Sequence, residues 1–155
     1  MRAKPISYRI SLIAALDTEG NIYYSLTQAN TDQHVMMVFL IHLVEQLDLA
    51  RPSWRDDTVL LLDGARYHNS QKVREYLRKL QVIWSGPYSY STAPIELVFA
   101  ALKFGELNPD GKSTGKKALD KVAYMIGAKL QQTPKSTFIT YWHATTLELF
   151  KYLYY

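Results

Sequence analysis

The run LLLDGARYHNS, Leu60 to Ser70, and the run GPYSYSTAPIELVFAALK, Gly86 to Lys103, decide how this 155-residue chain is read. Val59 to Leu62 (VLLL) is a short unbroken apolar stretch that stops abruptly at Asp63-Gly64, the pattern of a strand buried on both faces. Asp63 therefore stands at the C-terminal end of that strand. In the second run Gly86 to Ala93 reads as a loop, and Pro94 opens a helix through about Phe104, because proline is favoured at a helix's first position. That puts Glu96 in the first helical turn. Between the two runs, Ser70 to Leu80 is an amphipathic helix with Val73, Tyr76, Leu77 and Leu80 inward, and Val82 to Trp84 is another short buried strand. The order strand, helix, strand predicts a parallel crossover.

Working outward, Tyr8 to Leu16 (YRISLIAAL) and Asn21 to Leu26 (NIYYSL) flank the turn residues Asp17-Thr18-Glu19-Gly20 and predict an antiparallel hairpin. From Thr31 the apolar spacing changes to three and four: Val35, Val38, Phe39, His42, Leu43 and Leu47 predict a helix that ends near Ala50, with Asn30, Thr31 and Asp32 available as caps. Gly105 to Lys117 reads as a polar loop. Two further helices are expected at about Ala118 to Gln131 and Trp142 to Leu153, separated by Pro134. Strands and helices alternate in one α/β domain, residues 1–155, without repeats or an internal boundary.

With 48% hydrophobic residues the chain can bury a real core. It has no cysteine, so a metal would be held by carboxylates or histidines, which favours hard cations such as magnesium or manganese. Apolar stretches such as Val35 to Val44 are too short to span a bilayer and no secretory leader is evident; a soluble intracellular protein without membrane contact is expected. It would be nuclear in a eukaryotic host and cytoplasmic otherwise. A net charge of +4 permits contact with a polyanion but selects none.

Together the two runs resemble the second and third motifs of mariner-like and related insertion-sequence transposases of the DDE superfamily. In that family an Asp ends a buried strand in a pattern like LDNAxxH, and a Glu follows a loop of the form PYSPxxNPIE at the start of a helix that often continues to a Lys. The resemblance aligns Pro87, Tyr88, Ser89, Pro94 and Ile95 with the loop motif and places catalytic, metal-binding carboxylates on Asp63 and Glu96. It is strongest over residues 8–104; the helices of 105–155 are less diagnostic. Gly64, Tyr90 and Ala93 depart from the pattern, and the separation of Asp63 from Glu96 is slightly short, as a trimmed loop would make it. The resemblance implies a ribonuclease-H-like mixed sheet flanked by helices, DNA as partner, and metal-dependent DNA cleavage and strand transfer. Such chemistry uses two divalent ions about 4 Å apart, one activating the attacking oxygen and one stabilising the leaving oxygen, which is why carboxylates must converge there.

The same resemblance implies a first catalytic Asp on a central strand ahead of the hairpin, and only Met1 to Ser7 precede Tyr8 here. Asp17 belongs to the hairpin turn, and Asp56 and Asp57 precede the strand that bears Asp63, so none is a convincing substitute. The expectation is a catalytic domain lacking its first central strand, inactive alone, with another transposase chain or segment as the source of that strand. His68 is a site-adjacent residue by the same alignment, or a histidine that orients the loop. Lys103 lies on nearly the same helix face as Glu96, where it would meet a DNA phosphate, and Lys112, Lys116 and Lys117 form a basic loop; solvation is the plain alternative for all four. His34 and His42 read as structural, and the terminal tyrosines Tyr152, Tyr154 and Tyr155 as packing or frayed residues. Two other readings stand beside the enzyme: a non-catalytic nucleic-acid-binding or interaction protein derived from a transposase, and an unrelated α/β domain in which Asp63 is a turn residue and Glu96 a capping one.

Overall fold

A computed structural model of the chain describes residues 10–85, 93–104, 107 and 116–153. Strands β1 (Ser11–Leu16) and β2 (Ile22–Thr27) pair antiparallel as the hairpin, with Leu16 opposite Ile22 and Ser11 opposite Thr27. Its turn depends on Gly20, whose φ of 77° lies in the left-handed region, and whose missing Cβ would sit 2.5 Å from the Lys135 carbonyl oxygen. Helix α1 (Gln33–Ala50) starts at Asp32, whose carboxylate accepts from the His34 and Val35 amides at 2.8 and 3.0 Å. After the one-turn α2 (Trp54–Asp57), β3 (Leu60–Leu62), α3 (Gln71–Leu77) and β4 (Val82–Trp84) form the expected parallel crossover, with Leu61 beside Ile83. Ser70 caps α3 by accepting from the Val73 amide. Helices α4 (Pro94–Lys103), α5 (Lys116–Gln132) and α6 (Lys135–Leu153) follow.

The hairpin is covered on both faces. Ile13, Ala15 and Tyr23 pack on a core made by Met36, Phe39, Leu40, Leu43, Val44 and Leu47 of α1 with Trp54, Val73 and Leu77. Leu12, Leu16, Tyr24 and Leu26 meet a second core of Val98, Leu102, Ile126, Leu130 and Phe138 from α4, α5 and α6. Helices therefore flank the strands on two sides, an α/β/α layering. Among the described residues the strands form two separate pairs, β1–β2 and β3–β4.

Four expectations need correction. The buried stripe of α1 runs through Met36, Leu40 and Val44, whereas Val38 is 53% exposed and His42 and His34 are exposed, so His42 does not belong to the inward face. Among the described residues the β3–β4 pair is covered on one face: Leu60, Leu62 and Val82 pack inward while Ile83, on the other face, is 58% exposed. Helix α6 begins at Lys135, well before Trp142; Ser136, Thr137 and Thr140 are weak helix formers, but Phe138 and Tyr141 anchor this turn in the second core and packing outweighs propensity. Lys116 and Lys117 open α5 and do not belong to a loop. The Gly86–Ala93 loop, apart from Ala93, lies outside the described residues, as do Lys112, Tyr154 and Tyr155.

Candidate active site

A cavity of about 980 Å³ separates the two strand pairs. Leu12 to Leu16 line it from β1, Val59 to Asp63 from β3, Phe39, Leu40 and Leu43 from α1, and Ile95, Glu96 and Phe99 from α4. The ends of this cavity differ. At one, Arg51 reaches Glu19 beyond β1 (3.9 Å) and Asp57 ahead of β3 (3.2 Å), and also bonds Thr58. Because that end lies after β1 and before β3, the two strands run in opposite directions across the cavity. The other end, where β3 finishes, holds Asp63, Tyr67 and His68 with Ala93, Pro94 and Glu96 at the start of α4.

Asp63 is held by its own loop. Its Oδ1 accepts from the Ala65 amide at 2.9 Å and from His68 Nδ1 at 2.6 Å, and that ring nitrogen also lies 3.3 Å from the Asp63 carbonyl. An acceptor at that distance makes Nδ1 the protonated nitrogen of His68. Among the described residues Oδ2 takes no hydrogen bond, and the side chain is 42% exposed, so one oxygen is fixed and the other is left open. His68 is thus in direct contact with Asp63, a closer role than site-adjacent, and its ring packs edge-on against Tyr67 at 4.5 Å between centroids. Glu96 lies in the first turn of α4, which Pro94 opens, and lines the cavity; the Ala93 cap has no side-chain acceptor, and Glu96 makes no capping-box bond back to it among the described residues. Its carboxylate nevertheless sits at the favourable end of the helix dipole.

Asp63, Tyr67 and Glu96 all line the cavity. Burial pushes the Tyr67 phenol up from its ordinary value, and the negative charges of Asp63 and Glu96 push it the same way. The phenol is therefore expected to titrate above the ordinary tyrosine value, and Glu96→Gln to bring it partly back down. Ultraviolet absorbance titration checks this; an unmoved midpoint would separate Glu96 from Tyr67 and Asp63.

Asp17 and Asp57, which also line the cavity, are bonded to other groups. Asp17 Oδ1 accepts from the Glu19 and Asn21 amides at 3.0 and 2.7 Å and Oδ2 from the Asn21 side chain at 2.7 Å, so Asp17 is the staple of the hairpin turn. Asp57 pairs with Arg51 and Thr58, and Asp56 faces solvent. Among the described residues no three His, Asp or Glu side chains converge to hold a metal ion. Asp63 and Glu96 do offer hard oxygen donors of the kind that magnesium and manganese take alongside water. In kind, such donors fit a hard divalent ion. Lys103 is exposed at the end of α4, outside the cavity. Tyr67 and Arg51 were not legible as site residues: Tyr67 sits in the first motif without any spacing signal, and Arg51 joins segments far apart in sequence.

A family model described as DDE superfamily endonuclease matches residues 2–114, and the chain belongs to that family. Its fold is that of a mariner transposase catalytic domain. It is similar to the crystal structure of the catalytic domain of Mos1 mariner transposase, at 20% identity and a TM-score of 0.74, covering 89% of this chain and 69% of that one. The Mos1 catalytic domain solved with raltegravir and manganese gives 20% identity and a TM-score of 0.73, with 89% of this chain and 70% of that one covered. A pre-cleavage Mos1 transpososome gives 19% identity and 0.75, covering 94% of this chain and 43% of that one. No curated protein matches the chain in sequence. No helix among the described residues is long and apolar enough to cross a membrane.

Proposed function

We propose that this chain is the greater part of a DNA-cutting and strand-joining catalytic domain, with Asp63 and Glu96 as two of its metal-binding carboxylates. The observation that supports the reading is that Asp63, after the end of β3, and Glu96, in the first turn of α4, line one cavity although the sequence separates them. Divalent ions bound there would activate the attacking oxygen and stabilise the leaving oxygen at a phosphodiester. The chain's own residues supply the preparation: His68 and the Ala65 amide hold Asp63 Oδ1 and leave Oδ2 open, and α4 carries Glu96 into the lining of the same cavity. His68 is a positioning residue in this account, as partners of metal-binding carboxylates commonly are. DNA is the partner, its backbone meeting the exposed Lys103 and the basic residues Lys112, Lys116 and Lys117.

Residues 1–155 are proposed to be inactive by themselves, because Asp17 and Asp57 are committed to other partners and two carboxylates hold an ion pair loosely. The test is nicking of supercoiled plasmid with magnesium or manganese. The 155-residue chain should leave the plasmid intact, and a chain extended ahead of Met1 by a strand bearing one Asp should nick it. Nicking by the unextended chain that disappears in Asp17→Asn would place the third carboxylate on the hairpin turn and refute the assignment.

A further inference from the structure

The loop that follows β3 is tied down twice. Asp63 is held through its side chain by the Ala65 amide and His68, and the loop's backbone is held by Asn69. The Asn69 backbone amide donates to the Ala65 carbonyl at 3.1 Å, and its side-chain Nδ2 donates to the Gly64 carbonyl at 3.1 Å. The second of these bonds bears on Asp63. The Gly64 C=O and the Ala65 N–H belong to one peptide unit, planar and trans, so its oxygen and its hydrogen point in opposite directions and turn together. Asn69 holds the oxygen end, and the hydrogen end donates to Asp63 Oδ1 at 2.9 Å. A rotation of this peptide that spoils one bond spoils the other. The two bonds also polarise the same amide, and each strengthens the other.

The Asn69 side chain is itself oriented. An asparagine amide can present oxygen or nitrogen to a neighbour, and the neighbours decide which. Arg74 is a donor without an acceptor and its Nη2 lies 2.8 Å from the Asn69 amide, so the oxygen faces Arg74 and the nitrogen faces the Gly64 carbonyl. The Arg74 guanidinium in turn lies over the Trp84 ring, 5.6 Å from its centroid. Trp84 stands opposite Leu62 in the β3–β4 register, and Leu62 precedes Asp63. The contacts therefore close a ring that leaves β3 at Leu62 and returns to it through Trp84.

We propose that Asn69 is a positioning residue for Asp63, acting through the Gly64–Ala65 peptide, with Arg74 setting the direction of its amide. Among the described residues Asn69 shares no hydrogen bond with Asp63 itself, so its hold is exerted at one remove. Its loss loosens one of the two donors on Oδ1 and leaves the other, His68, in place. The effect on a bound ion rests on the reading of Asp63 as a metal-binding carboxylate; the effect on the peptide does not.

The test uses NMR of the 155-residue chain in two arms. Without metal, amide exchange at Ala65 should accelerate ~5-fold or more in Asn69→Ala, the scale of one hydrogen bond. Asn69→Asp keeps an acceptor for Arg74 and loses the donor to Gly64, so it should show the same acceleration, and it carries this arm alone if Asn69→Ala does not fold. Exchange at Val73 and Leu77 in α3 should stay as it is in both variants. With manganese, half-broadening of the Asp63 amide should need ~10-fold more ion in Asn69→Ala than in the native chain, the lower end of what losing a partner of a metal ligand costs. Unchanged exchange at Ala65 in both variants overturns the proposal. So does acceleration in Asn69→Ala with none in Asn69→Asp, which would make the anchorage to Arg74 the working contact, or acceleration that extends equally to Val73 and Leu77, which would make Asn69 a general prop of the loop. An Asp63 site that fills at the same manganese level in Asn69→Ala overturns it as well. Manganese that leaves Asp63 untouched in the native chain sinks the metal reading alone, while accelerated exchange confined to Ala65 still upholds the hold of Asn69 on the peptide.

Discussion

In a chain extended so that it nicks DNA, Asp63→Asn and Glu96→Gln are each expected to lower the metal-dependent rate by ~10²-fold or more, the scale on which losing one preorganised charge-stabilising group reduces turnover. The two differ in origin. Asn at position 63 can still accept from the Ala65 amide but offers no negative oxygen, whereas Glu96→Gln leaves the Pro94 start of α4 as before and removes charge alone. His68→Ala should cost less, ~10- to 100-fold, because it frees Asp63 Oδ1 without removing a ligand. The measurement is the rate of supercoiled plasmid loss at fixed manganese, with folding checked by circular dichroism. Equal loss in all three variants would mean that the loop from Asp63 to His68 acts only as structure.

The largest stability effect is expected at Trp54, which lies in α2, a turn that periodicity does not reveal. Its side chain is 1% exposed in the first core, and its Nε1 donates to Asp48 Oδ1 at 2.6 Å. Asp48 in turn pairs with Arg55, whose guanidinium stacks over the indole at 4.8 Å from its centroid. Trp54→Ala should cost about 3–5 kcal/mol from lost burial and cavity formation. Domains of this kind commonly have a total stability of only ~5–15 kcal/mol. Trp54→Phe keeps most of the volume and loses the bond to Asp48, at a cost of ~1–3 kcal/mol. Urea unfolding midpoints, compared at constant slope, separate the two.

Much of this architecture is legible in the sequence. The abrupt end of VLLL at Asp63-Gly64 placed a carboxylate at a strand end, and Pro94 placed Glu96 in a helix's first turn; both are where the structure has them. The hairpin, α1 and the parallel crossover follow from periodicity alone. What failed did so for tertiary reasons. Leu61 and Ile83 read as doubly buried because an apolar run cannot tell which of its faces has a partner. The start of α6 was hidden by Thr137, Ile139 and Thr140, whose low helix propensity is overridden by Phe138 and Tyr141 in a core that residues far upstream complete. The contact of His68 with Asp63 was within reach of the spacing, since five residues span a short loop, but the geometry that makes it a 2.6 Å bond was not. Tyr67 and Arg51 take their roles only from folding, which brings Glu96 to the one and Glu19 to the other.

The central claim is that Asp63 and Glu96 share a divalent-ion site at one end of the cavity. Paramagnetic broadening by manganese in the NMR spectrum of the 155-residue chain tests it most directly, because it reports position without needing catalysis. The account predicts that substoichiometric manganese broadens the amides of Asp63, Gly64, Ala65 and Glu96 first, and that the double variant Asp63→Asn, Glu96→Gln loses this pattern. Broadening centred on Asp17 and Glu19, or on Asp48 and Asp57, with Asp63 and Glu96 untouched, would contradict it.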